Sequence, residues 1–309
     1  MMHTLKDGFG YVPLKCSALA LSLLLTTSIS AEDDIEVEWF SDLDIGYSHN
    51  NNVGQAQFER DIIEDNIIEF NAGLIANIEW NDMSALTLTG FLQGKQFDAI
   101  EDLSSATAGF KAALRWQFDL GFFEPFYQLN HSVQIDEYDD VQRDSTVSRT
   151  QLFMTKRLNE SFTMVIGAEH FLRDSDGTAF DLYHNRLFFN LDYDIDNNST
   201  LYTAVDFRQG EIVSTAQRVF CNGQPADDIF PFIQYALAGE PDYAFRESLC
   251  GQWNAYKLEA DTTTATVGYN MSLTSNTTLD ISVTAVESKG EGDIEYDTLV
   301  YGITYLVRF

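Results

Sequence analysis

The last twelve residues read TLVYGITYLVRF and alternate without a break. Leu299, Tyr301, Ile303, Tyr305, Val307 and Phe309 share one parity, while Val300, Gly302, Thr304, Leu306 and Arg308 share the other. Successive side chains of an extended chain leave on opposite faces, so this is a strand with one continuous apolar face that ends on an aromatic. Eleven earlier segments repeat the pattern at about ten residues each: 37–48, 67–80, 85–97, 106–118, 123–136, 147–158, 162–173, 183–195, 200–210, 256–273 and 279–287, with 298–309 as the twelfth. Beyond the N-terminal thirty residues no stretch approaches the ~20 apolar residues of a spanning helix.

The connections alternate in length. Short ones (81–84, 159–161, 196–199, 274–277) are rich in Asn, Asp, Ser and Thr, as tight turns require. Between them lie long acidic loops at 49–65, 98–105, 137–146, 174–182, 211–255 and 288–297. A soluble periplasmic β-sandwich also alternates apolar and polar residues, but it gives no reason for long strands or for loops that alternate in length. The C-terminal strand, with Tyr301, Tyr305 and the final Phe309, resembles that of Gram-negative outer-membrane β-barrels. In that superfamily such a strand is the signal read by the barrel-assembly machinery. The resemblance covers one strand and implies an all-β fold: a single transmembrane antiparallel up-and-down barrel of about twelve strands, with short periplasmic turns and long acidic extracellular loops. Joined to the other phased strands, the last strand closes a single barrel and is expected to pair with the one beginning near Val37.

Apolar residues set the phase of each strand, and charge follows that phase. A Lys or Arg aimed at the bilayer midplane costs roughly 2 to 4 kcal/mol. On this phase Lys95, Lys111, Arg115, Arg149, Arg157, Arg173, Arg186, Arg208 and Arg308 point inward, and only Lys156 points out, beside a short turn. Asp42, Asp44, Glu69, Glu169 and Asp206 point inward as well, as do Asp192 and Asp280. The segment 256–273 changes parity between Ala260 and Ala265, which predicts a β-bulge near 262–264 and leaves Lys257 unassigned.

The N-terminus carries Lys6 and Lys15, an apolar run from 16 to 25 and small residues up to Ala31, the layout of a cleaved signal peptide spanning 1–31. The barrel domain is then 32–309. Cys16 lies within that leader, so Cys221 and Cys250 are the cysteines of the exported chain, and they predict one disulfide across the 211–255 loop. A formal net charge of −30 excludes nucleic acid as a partner, since phosphates need a basic surface.

Opposed acidic and basic walls predict a narrow porin-like channel for small polar or charged solutes. Pairing of those charges across the lumen, holding it shut, is the competing expectation. A structural or export barrel working with a periplasmic or surface partner is a second class, without the helical repeats that often precede such barrels. A lipid-acting barrel enzyme is a third. His131 and Ser132 are adjacent and so face opposite ways, His170 falls on the lipid side, His184 sits at a loop edge, and no His-x-Ser-Asn-Gly motif is present. No catalytic residue, cofactor or metal site is therefore assigned. Asp174, Asp176 and Asp181, like Asp139, Asp140 and Asp144, lack the later bidentate Glu of a calcium loop and read as solvated surface. Such a surface, with the barrel's lipid face, predicts outer-membrane lipid and lipopolysaccharide as partners. The 211–255 loop carries apolar residues 229–237 that need covering; it is expected to fold into the mouth as a constriction or lid, the alternative being that it stands outside to meet a partner.

Overall fold

Each alternating segment forms a hydrogen-bonded strand. The computed structural model describes residues 36–309, and the predicted leader lies outside them. In chain order the strands are β1 (Glu36–Asn50), β2 (Asp65–Asn81), β3 (Ser84–Phe97), β4 (Ser105–Gln117), β5 (Phe126–Tyr138), β6 (Ser145–Arg157), β7 (Phe162–Ser175), β8 (Leu182–Asp196), β9 (Ser199–Val219), β10 (Ala238–Pro241), β11 (Gln252–Thr274), β12 (Thr277–Gly290) and β13 (Glu295–Arg308). Two short helices, α1 (Phe230–Tyr235) and α2 (Tyr243–Ser248), lie between β9 and β11. No helix among the described residues is long and apolar enough to cross a membrane.

Neighbouring strands pair antiparallel, and β1 closes on β13, giving a twelve-strand barrel to which β10 adds only at the edge of β11. At the seam Asp42 lies opposite Arg308 and Ile45 opposite Tyr305. Phe309 continues the ladder: its N–H donates to Ser41 O at 2.8 Å, and Ser41 N–H donates to Phe309 O at 3.1 Å. Closure leaves no unpaired edge, which is what allows strands to cross a bilayer.

A membrane barrel inverts the usual burial pattern. Large apolar side chains such as Ile45, Phe70, Leu92, Leu152, Leu187 and Tyr301 stand exposed on the outer face. Trp39, Trp80, Phe118, Phe122 and Phe309 gather at the short-turn end, where amphipathic rings suit a membrane interface. The turns at that end share one device. Asn81 accepts from Met83 N–H at 2.9 Å, Asn159 from Ser161 N–H at 2.9 Å, and Asp196 from Asn198 N–H at 2.8 Å.

Two expectations are corrected at the β9–β11 hairpin. Alternation ends one strand at Gly210 and begins the next at Tyr256, but β9 runs on to Val219 and β11 starts at Gln252. Pairing with β8 ends where His184 meets Gly210, and beyond that point the two strands continue as a ribbon outside the barrel wall. Gly210 has φ +141°, and a Cβ there would run into the backbone of Tyr183 and His184. Beyond it, alternation no longer reports which side faces lipid. The second correction is the bulge. β11 pairs without interruption through Thr262, Thr263 and Thr264, and the irregularities fall at Gln252/Trp253 and Ser272/Thr274. Tyr256, Leu258 and Ala260 thus share the lumen-side face with Thr262 and Thr264. They are apolar because other protein covers them.

That cover is a lid built by the β9–β11 ribbon and its insert. Tyr256, Leu258 and Ile212 pack with Phe232 of α1 and with Ile294 and Tyr296 beside the β12–β13 loop. Trp253 and Phe245 of α2 pack with Ile100 and Leu103 of the β3–β4 loop. In the ring of twelve, four strands separate the β9–β11 hairpin from β3–β4 on either side, so the lid reaches across the full mouth. The largest fully buried apolar side chains, Phe232, Phe245, Ile100, Leu258 and Ile294, all belong to this layer. Cys221 and Cys250 are joined by a disulfide, with Cα atoms 5.2 Å apart, and staple the insert where the two strands end.

Candidate functional site

The lumen carries its charge in two arcs. Asp42 and Asp44 project from β1 and Glu69 from β2, and four strands on either side separate this pair from β7 and β8. Asn71 Nδ2 donates to Asp44 at 2.6 Å, and Glu69 holds Lys95 at 2.8 Å. Opposite lie Arg149 on β6, Arg173 and Glu169 on β7, Arg186 on β8, and Arg208 and Asp206 on β9. Of the remaining sequence-assigned residues, Arg115 pairs loosely with Glu79 at 3.8 Å. Lys111 occupies the same cross-strand row as Ser132 and Arg149.

Glu169 is the hub of the basic arc. It is buried and lies 3.8 Å from each of Arg149, Arg186 and His184. A rail of amides leads to it along the inner wall: Gln128 donates to Asn130 at 2.7 Å, Asn130 to Gln151 at 3.2 Å, and Gln151 to Glu169 at 2.6 Å. Asp206 serves Arg186 at 3.9 Å, so two carboxylates are spread over several cations. Arg186 and Arg208 stand directly opposite one another, a like-charge pairing that costs stability unless anions lie between them. Aromatic faces give partial compensation, with Arg149 5.4 Å from the Phe171 ring centroid and Arg186 5.1 Å from that of Phe188. His184, stacked on Phe171 at 4.4 Å, completes this wall.

Beneath the lid these groups enclose a cavity of about 470 Å³. Arg143, Arg149, Arg173, Arg186 and Arg208 line it against Glu169, Asp206 and Glu211, and Phe171, Phe180 and Phe245 supply apolar surface. Periodicity had no means of finding Arg143, which lies in the β5–β6 loop. There it grips the lid through Asp242 at 2.9 and 3.0 Å and covers Phe180 at 4.2 Å. His184, read from the sequence as a loop-edge residue, is buried in the wall; its inward parity on β8 was the available signal.

The loop aspartates act as clasps. Asp65 accepts from the N–H groups of Asp98, Ala99 and Ile100. Asp144 accepts from Tyr138 N–H and Asp181 from Ser175 N–H, each at 2.7 Å. Asp61 accepts from Gln217 N–H at 3.1 Å, tying the β1–β2 loop to the lid. Burial pushes the carboxyl pKa of Asp61, Asp102 and Asp140 above the usual range. No cluster of metal-ligating side chains occurs among the described residues. His131 and His170 lie on the outer face, 3.0 Å from Thr150 and 2.9 Å from Asn185, with Ser132 on the opposite face from His131.

Fold and site together define a single-chain outer-membrane type of β-barrel. No family model and no curated protein matches the chain. Among solved structures it resembles an outer membrane channel from Pseudomonas putida F1, at 12% identity and a TM-score of 0.55, over 91% of this chain and 100% of that one. The KdgM porin in complex with disordered oligogalacturonate matches at 8% identity and 0.42, over 87% and 99% of the two chains. OmpT, an outer membrane protein of Vibrio cholerae, matches at 10% and 0.35, over 92% and 100%. At 12% identity the likeness to the Pseudomonas putida channel is one of fold.

Proposed function

We propose that the protein is a narrow channel of a Gram-negative outer membrane for small polar or charged solutes, closed at its long-loop mouth by the β9–β11 lid. The long loops face outward and the short turns face the periplasm. The observation that carries this reading is a charged lumen, acidic at β1–β2 and basic at β6–β9, opening into a cavity under the lid. A barrel that served only as an anchor would gain stability from an apolar or fully paired interior, because each buried charge carries a desolvation penalty. Export requires the 1–31 leader, and assembly reads Tyr301, Tyr305 and Phe309. Lipid and lipopolysaccharide surround the apolar belt.

The test is solute entry into proteoliposomes. In a lidless variant, Asn-Gly replaces residues 212–258 and joins Glu211 to Glu259, which already face each other in register. Liposomes holding this variant are expected to swell in glycine or arabinose faster than those holding the full chain. Absence of swelling with both proteins, each shown to be folded, would remove the channel reading.

A further inference from the structure

The cavity under the lid is lined by five arginines against three carboxylates. Among the described residues the buried Nε of Arg173, of Arg186 and of Arg208, and Nδ1 of His184, have no hydrogen-bond partner. The residues that carry them come from three consecutive strands and line one cavity. Buried polar groups without partners destabilise a fold, more so when charged, and this wall keeps four of them beside its cavity. Arg208 has no carboxylate within ion-pair distance among the described residues, and its contact with Thr262 Oγ1 is long at 3.4 Å.

We propose that this cavity binds a small organic carboxylate, held by Arg173, Arg186, Arg208 and His184. A planar guanidinium fork matches the two oxygens of a carboxylate. An anion set between Arg186 and Arg208 relieves the like-charge pairing that the register imposes. Val53, Leu182 and Val213, partly exposed in the lining, offer apolar surface for a carbon skeleton, which an inorganic oxyanion does not use. The volume of about 470 Å³ lies within the range of small-molecule sites. In a chain of net charge −30, this basic pocket runs against the overall composition. The inference rests on the channel reading for its biological meaning, since it names the solute class, but the site itself is measurable without transport.

Titration calorimetry on the folded full-length protein in detergent tests it, with succinate against its neutral diamide and against sulfate. Succinate is expected to bind at one site and the diamide not at all. R208Q is expected to weaken succinate about tenfold or more, with Arg208→Lys restoring part of the loss. Equal binding of succinate and the diamide, or sulfate as tight as succinate, overturns the proposal. The comparison of ligands uses the natural chain, so it decides the matter even where a variant fails to fold. Succinate binding without liposome swelling would keep the site and remove the channel. Swelling of the lidless variant without succinate binding to the full chain would do the reverse.

Discussion

At the residue scale the lid depends on a few side chains that sit in no ordinary environment. Phe245 is fully buried between Trp253, Ile100 and Leu103, on a six-residue helix that Arg246 also ties to Trp253 O and Asn254. Phe245→Ala is expected to cost the lid about 3 to 5 kcal/mol and leave the barrel strands intact. Faster hydrogen exchange in 212–258 with unchanged exchange in β2–β7 is the expected pattern. Gly210 is the second such position. Gly210→Ala places a Cβ against backbone at a φ that L residues rarely adopt, so the hairpin must leave the wall at a different angle. Limited proteolysis of the lid is expected to quicken in that variant, while the heat-modifiable mobility of the barrel persists.

At the scale of elements, the lid is held by loops whose acids titrate unusually. Asp61 meets Arg60 and Asp228; Asp140 meets Arg143 and Asp242; Asp102 faces Glu247, Asp139, Asp140 and Glu101. Their folded pKa values are raised, chiefly by burial, so the native state holds protons more tightly than the unfolded chain. Stability contributed by these groups is therefore fully present below the ordinary carboxyl range of about 3.9 and is lost as pH rises through their raised folded values. Lid amides, corrected for intrinsic rates, are expected to exchange more slowly at pH 4 than at pH 7.5. The disulfide closes a segment of 29 residues' separation. By chain entropy that is worth roughly 3.5 kcal/mol, and replacing both cysteines by Ser is expected to lower the lid's unfolding midpoint without lowering the barrel's.

These two layers were unequally legible in the sequence. Strands such as β2 and β7 face lipid on one side and water on the other, so Ile68, Phe70 and Leu74 or Ile166 and Leu172 declare the phase directly. The seam between β1 and β13 followed from the same alternation. Where β9 and β11 leave the wall, protein covers both faces, and apolar residues such as Leu258 and Tyr256 on the lumen side read as a change of register. Arg143 and the clasping aspartates act through loop geometry, which has no period to detect.

For the whole molecule, the charge arrangement and the lid answer one another. Twelve strands enclose a lumen wide enough for charged walls, and the ribbon that continues two of those strands shuts it at one end. A barrel sealed along its whole length would pack its interior with apolar or fully paired side chains, whereas here the largest fully buried apolar groups lie in the lid and the loops it packs on, and the wall beneath is charged. On the proposed channel reading the lid is the principal barrier to passage. Single-channel recording in planar bilayers compares the full chain directly with the variant in which Asn-Gly joins Glu211 to Glu259. A small or intermittent conductance in the full chain and a larger, steady one in the lidless barrel are the predicted result. Equal conductance, or none in a lidless barrel shown to be folded and inserted, would contradict it.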